Sequence, residues 1–533
     1  MPYEPTALDY EPVTPSRRAA SPPSEDGEAA VRFPGDDLWT PPRGSRFGEA
    51  APAAPLEDGG DAGEDSRRRA GAKKGRARAA WRWPPLRRGH AASFAGLLLF
   101  TAVVYFRPQE TVPALASFKS LAFWAAVLTL AVFLPSQLGL EGTLTARPRE
   151  VTLVLAVLLL GLVGVPLASD PAEAWAAWLD YAKVVTMFVV MVNVLRTESR
   201  LRAMWWLALL VSLILSANAV LDYHAGRFAG DRVEGVIGSL FENPNDLALH
   251  LVTMVPLAAG LLFVARGMAG KALYAAAAGL MTLAVVVTYS RGGLLALAAA
   301  LFVMAWKLRP RGRAAVVAGF VLAALLFLAL MPSDFGARLG SAFGGKGDGG
   351  SAESRQALLL RSILVSLRHP VFGIGMNNFH IQSISEQVSH NAYTQVSSEV
   401  GMPAAAAYVL FMLAALGRMR RVERETAAEK RRARVHYLAV GMQASVVGYM
   451  VASFFASVAY LWYVYYLVGY ALCLERLYAA HGARVFGRAE SPGAGARAAA
   501  ARGGEGRAEF SDDGARGLPA VAPEGGLAAR GGR

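Results

Sequence analysis

From about residue 93 to residue 478, long apolar stretches alternate with short charged connections. A helix needs about 20 mostly apolar residues to cross a bilayer, and the chain offers such stretches repeatedly. They predict spans at roughly 93–106, 118–138, 151–168, 178–195, 203–221, 246–265, 272–289, 292–307, 313–331, 393–417, 436–458 and 460–478. The first and eighth are short, and the last two are nearly fused. The fold class that follows is an all-α, polytopic membrane protein of about twelve transmembrane helices.

The flanks read differently. Residues 1–92 are rich in Pro, Ala, Gly, Arg, Asp and Glu, lack apolar periodicity and are expected to be disordered. The opening Met1-Pro2-Tyr3-Glu4 lacks a basic region and an apolar one, so no signal peptide is expected there. A run of arginines and lysines from Arg67 to Arg88 precedes the first span. It either touches anionic head groups or, more simply, holds the N-terminus in the cytoplasm. Residues 479–533 form a second tail, expected to be disordered and cytoplasmic. The membrane domain is therefore residues 93–478, between two cytoplasmic tails, 1–92 and 479–533.

Lysine and arginine placement sets the direction. With the N-terminus inside, the cytoplasmic connections hold nineteen such residues, from Arg147 to Arg434. The short outer connections hold four: Arg107, Arg227, Arg232 and Arg291. Cytoplasmic loops carry this excess in membrane proteins. Two outer segments are long, about 222–245 and about 332–392. Within the second, residues 355–368 alternate Leu or Ile with polar residues at helical spacing, which predicts an amphipathic helix on the membrane surface.

Composition agrees. The chain is 54% hydrophobic and 18% charged, against about 25% charged in a soluble domain. The net charge of +13 would suit a nucleic acid, but the basic residues sit in tails and in loops beside spans, so no nucleic-acid partner is expected. The single cysteine, Cys473, excludes an intrachain disulfide and a Cys-rich metal site. Within an apolar stretch it reads as a small buried hydrophobe.

The unusual polar residues gather at the outer face. Arg291 stands in Thr288-Tyr289-Ser290-Arg291-Gly292-Gly293, between two spans with almost no loop and no carboxylate nearby in sequence. A guanidinium fork suits phosphate oxygens, and the glycines let a large anion approach the backbone; alternatively, Arg291 snorkels to head groups. Phe241-Glu242-Asn243-Pro244-Asn245-Asp246 opens the sixth span. There Asn245 or Asp246 is expected to cap the helix, and an outward N-terminus also favours anions. Arg227 and Arg232 lie just upstream. His390-Asn391 closes the large outer loop; a histidine near its ordinary pKa can take a proton from a sugar hydroxyl, or it is simply a surface side chain. Glu399 follows, placed to orient His390 or to cap a polar pocket. No Gly-rich nucleotide loop, no paired metal-ligand spacing and no Asp-x-Asp pattern marks the outer loops. No cofactor is expected, and a metal-independent mechanism is the simpler reading.

The order of these pieces resembles the O-antigen ligase and O-antigen polymerase superfamily. The pieces are Phe241 to Asp246, Ser290-Arg291-Gly292, a long outer loop with Arg355, and His369-Pro370-Val371-Phe372-Gly373-Ile374-Gly375. Last come His390-Asn391-Ala392-Tyr393 with Glu399 and Gly401. Tyr105-Phe106-Arg107-Pro108-Gln109-Glu110 looks like the opening of O-glycosylation ligases associated with exosortase systems. The resemblance covers about residues 93–478. It implies a twelve-helix transferase of the bacterial inner membrane with a large periplasmic loop and an undecaprenyl-diphosphate-linked glycan as donor. The acceptor would be a lipid, a glycan or a protein. Arg291, Arg355 and Arg232 would hold the diphosphate, with Asn245 and Glu399 completing the candidate substrate-binding set. His390 would activate or position the acceptor. The tail of residues 1–92 is longer than such enzymes need. A polymerase of the same superfamily shares the donor site. A transporter without catalysis would instead predict an internal repeat and helices broken at the midplane; no repeat is visible.

Overall fold

The structure is a computed structural model. It describes residues 89–108, 121–227, 243–308, 349–383, 386–427 and 433–482, with isolated positions between and beside them. All belong to one compact unit, Ala80–Arg533; the other unit, Met1–Ala79, lies outside the described residues. So do both tails almost entirely, Arg232, and most of the ninth expected span.

The described residues are helical, without a strand. In chain order they form α1 (Ala91–Phe106), α2 (Leu121–Glu141), α3 (Arg149–Gly164), α4 (Pro171–Val194) and α5 (Glu198–His224). Then follow α6 (Pro244–Val264), α7 (Met268–Val287) and α8 (Arg291–Lys307). The remainder are α9 (Gly349–Arg368), α10 (Phe379–Gln382), α11 (Ala392–Glu399), α12 (Met402–Ala427), α13 (Ala433–Ala452) and α14 (Trp462–His481). Eight of these segments are long and apolar enough to cross a membrane. Some of their starts carry side-chain caps, whereas α3 and α7 begin without one. Asp170 accepts from the amides of Ala172 at 2.9 Å and Glu173 at 3.1 Å ahead of α4, and Thr197 caps α5.

α6, α13 and α14 form the centre. Residues Leu247–Leu261 of α6 are almost wholly buried, as are Tyr463–Tyr478 of α14. α6 and α13 approach backbone to backbone: a Cβ on Gly441 would lie 2.6 Å from the Pro256 carbonyl oxygen. Small residues at such an interface supply the packing that water-driven burial cannot supply in lipid. Cys473 is buried there, as expected.

Contacts between helix ends sort into two sets. At one end Arg418 bridges α12, α3 and α14, donating to both oxygens of Glu150 at 2.6 and 2.8 Å and to Glu475 at 3.0 Å. Arg196 pairs with Glu141 at 2.7 Å and Lys307 with Glu423 at 2.7 Å. The buried Arg418 charge is matched and hydrogen-bonded, the condition for tolerating it. The opposite, or site, end joins Ser290 to Asn245, Tyr393 to Met450, and Asp170 to Asn378. In each set the helix ends are those that an up-and-down order brings together.

Two sequence expectations are corrected. The tenth span, expected at 393–417, is two helices, α11 and α12, broken at Val400-Gly401. Gly401 has φ +103°, and a Cβ there would sit 2.1 Å from the Val371 carbonyl oxygen, so the chain must turn at a residue without a side chain. The cap of α6 is Asn243, not Asn245 or Asp246; its Oδ1 accepts from the Asn245 amide at 2.9 Å with Pro244 at the first helical position. The expected amphipathic helix is present as α9. It buries Leu358, Ser362 and Val365 and exposes Leu360, Ile363, Leu364 and Leu367.

Candidate functional site

The site end is built from five short segments. Ser290 caps α8, its Oγ accepting from the Gly293 amide at 3.1 Å and donating to Asn245 Oδ1 at 2.8 Å. That pair locks the start of α6 to the start of α8 and leaves Arg291 exposed at the first position of α8. Tyr289, just before, holds φ +52°, a left-handed conformation uncommon for a bulky residue, and its hydroxyl donates to Tyr223 at 3.2 Å.

Gly292 abuts Phe455: a Cβ at 292 would lie 2.8 Å from the Phe455 Cβ. Phe455 ends a short 3-10 turn, Ser453–Phe455, between α13 and α14. Two residues on, Ser457 Oγ lies 3.1 Å from Ser389 Oγ, which fixes the residue preceding His390. His390 itself takes φ +50°. Asn391 then caps α11, accepting from the amides of Tyr393 at 2.9 Å and Thr394 at 3.1 Å. α11 is held from the other side by Tyr393 Oη to the Met450 carbonyl at 2.7 Å and by Gln395 Oε1, which accepts from the Ala459 amide at 3.2 Å.

His390 is half-buried. Burial first, and then the like charge of Arg355 on α9, push its pKa below the usual 6.5. The ring is therefore kept neutral, the form that can accept a proton. Arg291, Phe455, Ser457, Ser389, His390 and Arg355 thus form one continuous series of neighbours around the site end.

Beneath it, Asp246 faces Tyr463 and Tyr449, and Arg107 also faces Tyr463. Arg107 has φ +43°. An aromatic floor follows, in which Phe241 neighbours Tyr105, Tyr463 and His250 with ring centroids 6.5, 6.1 and 5.1 Å apart.

Glu399 does not face His390. Residues 370–375 and 398–402 clasp through backbone bonds: Ile374 N to Ser398 O at 2.9 Å, Gly375 N to Glu399 O at 2.9 Å, and Met402 N to Pro370 O at 2.8 Å. Gly373, at φ +67°, makes room; a Cβ there would sit 2.3 Å from the Glu399 carbonyl carbon. The Glu399 side chain is buried beside the 377–379 turn and Tyr460, and its Oε2 has no hydrogen-bond partner among the described residues. Burial pushes its carboxyl up to about 8, opposed by the Asn377 amide, Tyr460 and the Phe379 amide. The side chain thus lies beside that turn and not beside His390.

Of the sequence-derived candidates, Asn245, Arg291, Arg355 and His390 come to the same end of the bundle. Arg227 is spent on Asp222, its Nε donating at 2.6 Å. Sequence reasoning missed the 453–460 segment because it sat within or beside expected spans. The available signal was Ser453-Phe454-Phe455-Ala456-Ser457, which interrupts an apolar run. Among the described residues, no three His, Cys, Asp or Glu side chains gather closely enough to hold a metal ion.

Residues 276–409 match the model of a protein family described as O-Antigen ligase. The matched stretch is about a quarter of the chain and contains Arg291, Arg355, the 369–375 clasp, His390 and Gly401. A search of curated proteins returned no match. Among the described residues the chain thus has eight segments long and apolar enough to cross a membrane, and its residues 276–409 are similar to the O-antigen ligase family, in keeping with the resemblance to that superfamily.

Proposed function

We propose that this protein is a glycosyltransferase that moves a glycan from undecaprenyl diphosphate to an acceptor hydroxyl at the periplasmic face of the bacterial inner membrane. The observation that carries the reading is the series that links Arg291, Ser389, His390 and Arg355 of the matched stretch through Phe455 and Ser457 outside it. A diphosphate needs cations, and a hydroxyl needs a base; one end of the bundle offers both.

In this reading the acceptor hydroxyl gives its proton to the neutral His390 ring as its oxygen bonds to the anomeric carbon of the donor sugar. The bond from that carbon to the diphosphate breaks, and the electron pair leaves on undecaprenyl diphosphate. Arg291 and Arg355, joined by Arg232, hold the charge that develops there. Asn245 keeps Ser290 and hence Arg291 in place. Glu399 closes the wall behind the 369–375 clasp. Direct attack inverts the configuration at the anomeric carbon. The exposed Leu360, Ile363, Leu364 and Leu367 of α9 rest on the membrane surface, which keeps Arg355 at head-group depth, where a lipid diphosphate lies.

A lipid, a protein or a non-extending glycan as acceptor makes the protein a ligase; a second lipid-linked chain makes it a polymerase. Purified protein in proteoliposomes with a radiolabelled lipid-linked glycan and a panel of acceptors tests the reading. Label moving to an acceptor supports it, and lengthening of the lipid-linked chain itself selects the polymerase. Intact donor crossing the bilayer, with no transfer to any acceptor, would indicate a transporter instead.

A further inference from the structure

The end of the bundle opposite His390 holds a cavity of about 560 Å³. Three arginines line it: Arg202 on α5, Arg266 in the α6–α7 connection and Arg434 at the start of α13. One carboxylate, Glu198, faces them, and it is already committed. It pairs with Arg202 and accepts from the Phe486 amide at 3.0 Å. Arg434 donates to the Phe486 carbonyl at 2.9 Å while lying within the field of Arg266 and Arg202. Arg202 stacks over the Phe486 ring, 5.0 Å from its centroid. Arg266 makes no hydrogen bond or ion pair among the described residues. The described charges therefore leave a cationic excess at one spot, where like charges repel unless an anion joins them.

A second observation points the same way. Trp205 lines the cavity, is 1% exposed, and its indole N–H has no acceptor among the described residues. A buried donor of this kind is costly to leave unmatched. The other wall is apolar and aromatic: Leu261, Val264, and the Trp206–Tyr274 pair with centroids 5.5 Å apart. Trp206 is 45% exposed on the outside of a membrane-length helix. Trp and Tyr at a helix end beside basic residues mark the depth of the head groups. A free anion would use the arginines and leave the apolar wall unmatched; an anionic lipid uses both.

We propose that this cavity binds the phosphate head group of an anionic membrane lipid, with Arg202, Arg266 and Arg434 around the phosphate and Trp206 and Tyr274 against the lipid's glycerol and acyl region. The site lies at the face opposite the transfer chemistry and serves a resident lipid rather than the glycan donor. It joins α5, α6, α7 and α13, so an occupant ties together four helices whose basic ends otherwise repel.

The test uses the full-length protein in neutral detergent, titrated with phosphatidylglycerol, phosphatidylcholine or inorganic phosphate and read by native mass spectrometry. Phosphatidylglycerol is retained at least about tenfold better than phosphatidylcholine. Arg266→Gln with Arg434→Gln weakens it roughly thirtyfold, and Arg266→Gln alone, which breaks no described bond, roughly fivefold. Arg420→Gln with Arg421→Gln, two exposed arginines at the same end, leaves retention unchanged. Equal retention of the two lipids, or equal losses in the cavity and control variants, overturns the proposal. Displacement of the lipid by low-millimolar inorganic phosphate overturns the lipid assignment and leaves a soluble-anion site.

Discussion

Ser389 Oγ and Ser457 Oγ lie 3.1 Å apart, and that pair ties the residue before His390 to the segment that packs Phe455 on Gly292. His390, the proposed base, and the exposed arginine at the start of α8 are 99 positions apart in sequence, and this join is one of the contacts that relate them. Either hydroxyl can donate, so Ser457→Ala leaves Ser389 without its partner and lets the His390 turn relax. Transfer should fall several-fold while the melting temperature changes little, a loss on the order of 1 kcal/mol for one hydrogen bond. An unchanged rate in Ser457→Ala would show that the join does not position His390.

The Arg355 charge is one cause of the low pKa of His390, and this has a measurable sign. With Arg355 present the ring loses its proton below the usual 6.5, so the acid limb of the rate profile lies under that value. Arg355→Gln removes a like charge, the His390 pKa rises, and the acid limb moves to higher pH. The measurement is kcat/KM for the donor against pH, which reports the free enzyme. A limb that stays put or moves to lower pH would separate Arg355 from His390.

Arg291→Lys keeps a positive charge and loses the planar fork. On the proposed role its main effect is a higher KM for the lipid-linked donor, on the order of tenfold for a lost bidentate contact. Protein level and helix content should stay normal, because the side chain is exposed and the cap is Ser290. A donor KM equal to the wild type would return Arg291 to a head-group contact.

Much of the fold was legible in the apolar pattern because a membrane span is a one-dimensional signal. α2 to α8 and α12 to α14 all fall on or near expected stretches. The breaks were not legible. Gly401 looked like one more residue of a long helix, since its positive φ answers Val371, thirty residues earlier. The 370–375 and 398–402 clasp is backbone to backbone, so side-chain chemistry could not announce it. For the site, Arg291 stood out as a cation between two apolar spans, His390 as a histidine at a loop-to-helix junction, and Arg355 through the long outer loop and the resemblance. Phe455 and Ser457 did not, because an aromatic and a serine near a span end are unremarkable until Gly292 and Ser389 meet them.

Glu399 links stability to pH. Its carboxyl, raised from 4.5 to about 8 by burial, stays protonated in the folded protein over a window in which the unfolded chain has lost its proton. Stability should therefore fall as pH rises from about 4.5 to about 8, by at most roughly 1.4 kcal/mol per pH unit. Glu399→Gln removes this dependence and should melt higher than the wild type at pH 8. Parallel melting curves for the two proteins from pH 5 to 8 would refute the buried neutral carboxyl.

The glycine contacts at the centre are steric. In Gly441→Val the new Cβ would sit 2.6 Å from the Pro256 carbonyl oxygen, so α13 must move off α6. The expected cost is about 1–3 kcal/mol, read as a lower melting temperature in detergent. Gly279→Val, where the new Cβ meets nothing within 4 Å, is the matched control and should melt close to the wild type.

The central claim is that one end of the bundle transfers sugar from a lipid diphosphate, with His390 taking the acceptor proton. Release of undecaprenyl diphosphate from a labelled lipid-linked glycan, in proteoliposomes of wild-type and His390→Ala protein, tests it most directly. The account predicts acceptor-dependent release by the wild type and a loss of about 100- to 10,000-fold in His390→Ala, with donor binding retained through the arginines. Release by His390→Ala at the wild-type rate, with normal membrane levels, would contradict it.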